Sequence, residues 1–117
     1  MTAMEIKNIF AHIQGPIPEE VFETLLDKEH IKIEKIISTG QSTPVGEWYN
    51  QERDEWVVML TGSAGLSFKS QKEIRVLKPG DYLLIPAHTM HRVEWTDSRE
   101  KTIWLAVHYT ACNRQKL

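Results

Sequence analysis

Apolar and polar positions change places in short bursts along most of this chain, with a different rhythm near its start. Between Pro18 and Leu26 the apolar residues Val21, Phe22, Leu25 and Leu26 recur one and four apart, the spacing of one helical face. Pro18 suits a first helical position because its missing N–H has no intrahelical partner there, and Glu19 and Glu20 favour the positive helix end. The spacing predicts a short amphipathic helix packed outside the main body. From His30 the rhythm becomes alternation in a β-branched context, Ile31, Ile33, then Ile36 and Ile37, closed by Ser38-Thr39-Gly40, which predicts a first strand. Further strands are predicted at Glu47–Tyr49, Glu55–Leu60, Gly65–Phe68, Glu73–Leu77, Tyr82–Ile85, His91–Trp95 and Lys101–Tyr109. Turn residues such as Thr61-Gly62-Ser63, Lys78-Pro79-Gly80-Asp81 and Thr96-Asp97-Ser98 separate them. Many short strands with turns between them predict an antiparallel all-β sandwich or barrel.

The predicted organisation is one domain: an N-terminal segment with the short helix over 1–29, a barrel over 30–110, and a solvated tail over 111–117. The run Trp56-Val57-Val58-Met59-Leu60 is apolar on both faces of its strand. One face is expected to fill the barrel and the other to need cover. The economical cover is a second copy, so a homodimer is expected.

Composition narrows the function classes. The 117 residues carry 14 Lys+Arg against 16 Asp+Glu and are 41% apolar, enough for a single core and too few for a second domain. Basic residues are dispersed, which excludes the concentrated stripe that nucleic acid binding requires. Apolar runs such as Trp56–Leu60 fall far short of a membrane span. Charged Glu5 and Lys7 leave the first ten residues without the apolar stretch of a secretion signal, and a lone Cys112 cannot form an internal disulfide. The expected setting is the cytoplasm and the expected partner a small molecule. Gly62-Ser63-Ala64-Gly65 reads as a hairpin turn, not a nucleophile elbow.

The chemistry gathers in two stretches. The second reads Gly80-Asp81-Tyr82-Leu83-Leu84-Ile85-Pro86-Ala87-His88-Thr89-Met90-His91. Gly80 opens a strand, Pro86 ends it, and a tight turn brings His91 to the start of the next, where alternation places His91, Val93 and Trp95 on one face. The first stretch puts Glu55 in phase with Val57 and Met59, with Tyr49 and Gln51 sharing a face upstream. An inward carboxylate must be paired, metal-bound or protonated. Taken singly, His91 could be a hydrogen-bonded core histidine, Glu55 a strand-edge charge, and His88 a surface residue at the mouth. Trp48, Trp56, Trp95 and Trp104 read mainly as burial, with Trp95 placed to line a pocket beside His91.

These two stretches resemble the paired motifs of the cupin superfamily. The second matches a Gly, five residues, Pro-any-Gly, two residues and His, with His88 standing at the second Gly. The first matches the Glu and Gly at Glu55 and Gly62, while Tyr49 and Gln51 fall where the family carries histidines. The resemblance implies an antiparallel double-stranded β-helix, or jelly-roll barrel. It also implies a divalent ion, Fe, Mn, Ni or Zn, held by Gln51, Glu55 and His91, with Glu55 and His91 as the proton-moving groups and Tyr49, His88 and Trp95 lining the pocket. Dioxygenase, isomerase or epimerase chemistry on a small polar organic molecule is then expected. The alternative is a metal-free cupin that binds a sugar or other metabolite without catalysis.

Overall fold

The computed structural model describes residues 4–11 and 17–110. They form eight antiparallel strands: β1 Val21–Lys28, β2 Ile31–Ser38, β3 Asp54–Thr61, β4 Ala64–Phe68, β5 Arg75–Leu77, β6 Tyr82–Ile85, β7 His91–Thr96 and β8 Thr102–Tyr109. One sheet runs β1-β2-β8-β3-β6, the other β5-β4-β7. Met59, Ala64, Leu66, Phe68, Leu77, Ile85, Trp104 and Ala106 pack between the two sheets as the core. In β3 the predicted alternation is realised: Glu55, Val57 and Met59 are buried while Trp56, Val58 and Leu60 are half-buried. On the outer side Trp56 leans against Tyr82 with ring centroids 5.5 Å apart.

The short N-terminal helix is corrected. Residues 21–28 are instead an edge strand, paired with β2 from Val21↔Ile37 to Lys28↔Ile31. A bulge between Thr24 and Leu26 explains the misreading. The extra residue breaks the period of two, so the apolar residues fall one and four apart without any helix. Because β1 extends the main sheet, the strands do not begin at residue 30. The predicted tail 111–117, with Cys112, lies outside the described residues.

The predicted strand at Glu47–Tyr49 shrinks to a single bridge, Tyr49↔His91. The link from β2 to β3 runs along β7 and is fastened there. Thr43 N–H donates to the Val93 carbonyl at 2.9 Å, Val93 N–H donates to Thr43 Oγ1 at 2.9 Å, and the Arg92 guanidinium donates to the carbonyls of Thr43, Pro44 and Glu47. This fastening brings Tyr49 and Gln51 to the mouth of the space between the sheets.

Two turns depend on glycine. Gly62 sits at φ +79 between β3 and β4, where a Cβ would lie 2.6 Å from Thr102 Cα. Gly80 opens β6 at φ +93. Its turn is closed by Asp81 N–H donating to the Lys78 carbonyl at 2.9 Å and by Lys78 N–H donating to Asp81 Oδ2 at 2.8 Å.

Candidate functional site

The two sheets enclose a cavity of about 140 Å³. Inward strand residues line it, among them Glu34 and Ile36 from β2, Glu55 and Val57 from β3, Leu66 from β4, Ile85 from β6, His91 and Val93 from β7, and Trp104 and His108 from β8. Tyr49 and Gln51 enter from the fastened link, Glu20 from just before β1, and Phe22 from β1. An engineered cavity of about this size holds benzene, so the space suits a small metabolite.

Glu55 and His91 face each other inside. Glu55 is 7% exposed and His91 5%, and His91 Nε2 stands 3.8 Å from Glu55 Oε1. His91 Nδ1 lies 2.8 Å from the Thr89 carbonyl, which can only accept, so that nitrogen carries the proton. In the neutral form of the ring Nε2 is then the lone pair, and it faces the Glu55 carboxyl. Ring packing fixes the imidazole, with Tyr49 at 5.6 Å and 30° and Phe68 at 6.1 Å. Glu55 Oε1 is fully buried and has no hydrogen-bond partner among the described residues. An unmet buried acceptor costs roughly 1–3 kcal/mol, a penalty that a structural carboxyl would have shed by pairing.

Burial pushes the Glu55 carboxyl above its ordinary value of 4.5, and the imidazoles of His108 and His91 and the Gln51 amide pull it partly back. His108 stands directly across from Glu55 in the β3–β8 register. Its Nε2 meets Glu34 Oε1 at 3.1 Å, and Glu34 Oε2 lies 3.7 Å from Lys32 Nζ outside the cavity. At the mouth, Glu20 accepts a hydrogen bond from Ser38 Oγ, and burial raises its carboxyl too. Burial and the nearby carboxylates also raise the Tyr49 phenol, away from phenolate.

The site residues expected from the sequence divide. Gln51, Glu55, His91 and Tyr49 converge on the cavity, whereas His88 and Trp95 do not line it. Between Gly65↔Trp95 and Leu66↔Val93 the β4–β7 ladder carries a bulge at Glu94. After it Thr96 is buried and Trp95 turns outward, 38% exposed, over the bare backbone of Gly65. His88 is exposed at φ 64, the left-handed conformation that favours the glycine of the family pattern. Its N–H donates to the Gln51 carbonyl at 2.7 Å, so it holds the mouth by backbone alone.

Glu34, Trp104 and Phe22 were missed. Glu34 and Lys35 are adjacent charges among isoleucines, and alternation alone does not say which of them turns inward. In fact Lys35 is the buried residue of the other face, bonded to Glu23 at 3.0 Å and to the Ile9 carbonyl at 2.9 Å, while Glu34 faces the cavity. The phase of Trp104, Ala106 and His108 on one strand was the signal that could have found β8's contribution.

A divalent ion here would be held by His91 Nε2 and Glu55 Oε1, with the neutral Gln51 amide as a weak third donor. Among the described residues no three or more His, Cys, Asp or Glu side chains gather as ion ligands. Catalytic ions take at least three protein ligands, usually imidazoles, carboxylates or thiolates. This donor set does not fit such an ion, and no chemical step is assigned to one.

Comparison with known proteins agrees with the fold. No family model and no curated protein matches the chain. Among solved structures, a Ralstonia eutropha JMP134 protein provisionally named mannose-6-phosphate isomerase is 47% identical, with a TM-score of 0.89 over 92% of this chain and 100% of its own. A cupin superfamily protein of Desulfitobacterium hafniense DCB-2 is 19% identical, TM-score 0.73, over 93% of this chain and 94% of its own. An RmlC-like cupin with a double-stranded β-helix fold from Methanocaldococcus jannaschii is 18% identical, TM-score 0.66, over 84% and 86%. With eight antiparallel strands in two facing sheets, the Gly80–His91 motif folded at the cavity and a 47% identical neighbour along its whole length, this chain belongs to the cupin superfamily.

Proposed function

We propose that this protein catalyses proton transfer on a small polar organic molecule, as an isomerase or epimerase does, with Glu55 and His91 as the acid–base pair. The observation that carries the reading is the buried Glu55 Oε1, without a hydrogen-bond partner among the described residues, facing His91 Nε2 3.8 Å away in the cavity between the sheets. A buried carboxyl whose proton affinity is raised is a usual acid of such chemistry. A carboxyl raised by burial holds its proton; a neutral imidazole in a fixed tautomer can accept one.

The steps balance with these two groups alone. His91 Nε2 takes the proton from a carbon next to a carbonyl. Glu55 gives its own proton to the carbonyl oxygen, and the product is an enediol or enol. Return of the proton to the neighbouring carbon, or to the other face of the same carbon, gives the isomer and restores both groups. Tyr49 and Gln51 orient the substrate at the mouth, and the apolar walls from Ile36, Val57 and Val93 exclude water. The isomerase name of the 47% identical Ralstonia protein belongs to the same reaction class.

Hydrogen exchange with solvent tests the proposal whatever the product proves to be. Small hydroxy-carbonyl compounds are incubated with the protein in D2O and followed by proton NMR. At least one is expected to gain deuterium next to its carbonyl, with the rate falling by about 10²-fold or more in Glu55→Gln and in His91→Gln. Exchange that survives both substitutions would remove these residues from the chemistry. A compound that binds in the cavity but never exchanges would favour a binding protein without catalysis.

A further inference from the structure

Most polar groups of the cavity wall are already engaged with one another. Glu34 holds His108 at 3.1 Å, with Lys32 behind it at 3.7 Å. Glu20 accepts a hydrogen bond from Ser38 Oγ, which in turn accepts one from the Trp104 indole N–H at 3.2 Å. Trp104 therefore offers the cavity only its ring. Two polar atoms stay open deep inside, Glu55 Oε1 and His91 Nε2. At 3.8 Å they are too far apart to bond each other. Around them the wall is hydrocarbon, from Ile36, Val57, Leu66, Ile85 and Val93. Among the described residues no lysine or arginine lines the cavity.

Each open atom sets a demand on a ligand. Carrying its proton, as in the proposed function, Glu55 is a donor that needs an acceptor. His91 Nε2, unprotonated in that reading, is an acceptor that needs a donor. A carbonyl oxygen and a hydroxyl on the next carbon meet both demands at once. The hydrogen that the proposed reaction removes sits on that same hydroxyl-bearing carbon. Every further hydroxyl would face hydrocarbon, losing water without gaining a partner. A carboxylate or phosphate would find no fixed cation. An ammonium would find no free carboxylate, because Glu34 and Glu20 are engaged and Glu55 is neutral.

We infer that the cavity selects neutral, compact α-hydroxy ketones or aldehydes whose remainder is hydrocarbon, carbonyl on Glu55 and hydroxyl on His91, and excludes sugars and ions of either sign. The inference rests on the proposed function for the protonation of the two groups; it adds the substrate class. The sugar phosphate in the Ralstonia protein's provisional name belongs to the excluded compounds, through its phosphate and its many hydroxyls.

Probes built on one six-carbon ring, a body suited to a cavity of about 140 Å³, test it. They are 2-hydroxycyclohexanone, cyclohexanone, cyclohexylammonium and cyclohexanecarboxylate, with mannose and mannose 6-phosphate beside them. Binding is measured by ligand-observed NMR and calorimetry on the full chain at neutral pH. The hydroxy ketone is expected to bind about tenfold or more tightly than cyclohexanone, which leaves Nε2 without its donor. The two ions and the two sugars are expected to give no saturable binding. His91→Leu is expected to bring the hydroxy ketone down to the affinity of cyclohexanone. Because the ranking is read on the wild-type protein, it stands even if that variant folds poorly.

Equal binding of the two ketones would overturn the inference, as would saturable binding of either ion or either sugar. No binding by any probe would overturn it as well. The same hydroxy ketone in D2O separates the two readings. Binding with this ranking but without deuterium exchange sinks the catalytic reading and leaves the substrate class standing. Exchange into a sugar or an ion does the reverse.

Discussion

Glu55 places function and stability in opposition. Its Oε1 is buried without a partner, and burial raises its proton affinity above that of an exposed glutamate. The folded state therefore binds this proton more tightly than the unfolded state does. Below the ordinary value of 4.5 both states are protonated and the group is neutral in the balance. As pH rises through the raised folded value the native state loses stability that an uncharged isostere keeps. Glu55→Gln should match the wild type at low pH and exceed it progressively above that ordinary value, reaching about 1 kcal/mol at neutral pH. Urea unfolding across pH reads this directly, and a variant less stable than wild type at neutral pH would assign Glu55 a structural role. The sequence made this residue legible through its phase with Val57 and Met59. It could not reveal His108 and Glu34 beside it, because which face of β2 turns inward is decided by the N-terminal segment that covers Lys35.

At the scale of elements, the strands that alternate cleanly were legible and the bulged ones were not. β3 follows its pattern throughout the cavity face, so Glu55 was placed correctly. β1 and β7 each carry an extra residue, and each produced an error: a helix read into Val21–Leu26, and Trp95 assigned to the His91 face. A bulge has no apolar signature of its own, so counting by twos fails beyond it. The β3–β4 turn, by contrast, was readable from Gly62, and its geometry explains why. A side chain there would combine φ +79 with a Cβ pressed against the Thr102 backbone of the neighbouring strand. Gly62→Ala is expected to destabilise the fold by about 3 kcal/mol, measured by denaturant unfolding. A loss under about 1 kcal/mol would mean that β8 can shift to make room.

Across the whole molecule, the two-sheet architecture packs its buried apolar residues beside a small polar cluster. Met59, Leu66, Phe68, Ile85 and Trp104 hold the sheets together, while one end of the space between them is given to Glu55, His91, His108 and Glu34. Eight strands from a chain this short leave both edges of the larger sheet apolar and exposed, at Phe22 and Leu25 on β1 and at Tyr82 and Leu84 on β6. The architecture was legible because turn residues punctuate the chain at strand spacing. The site's second half was not, since it depends on β2 and β8 lying side by side despite the long stretch of chain between them. The central claim is that Glu55 holds a proton in the cavity against the His91 lone pair. Carbon-13 NMR of the glutamate side-chain carboxyls, with Glu55 assigned by its absence in Glu55→Gln, measures that proton. Glu55 is expected to titrate above 4.5. Titration of Glu55 at or below the ordinary glutamate value would contradict the account.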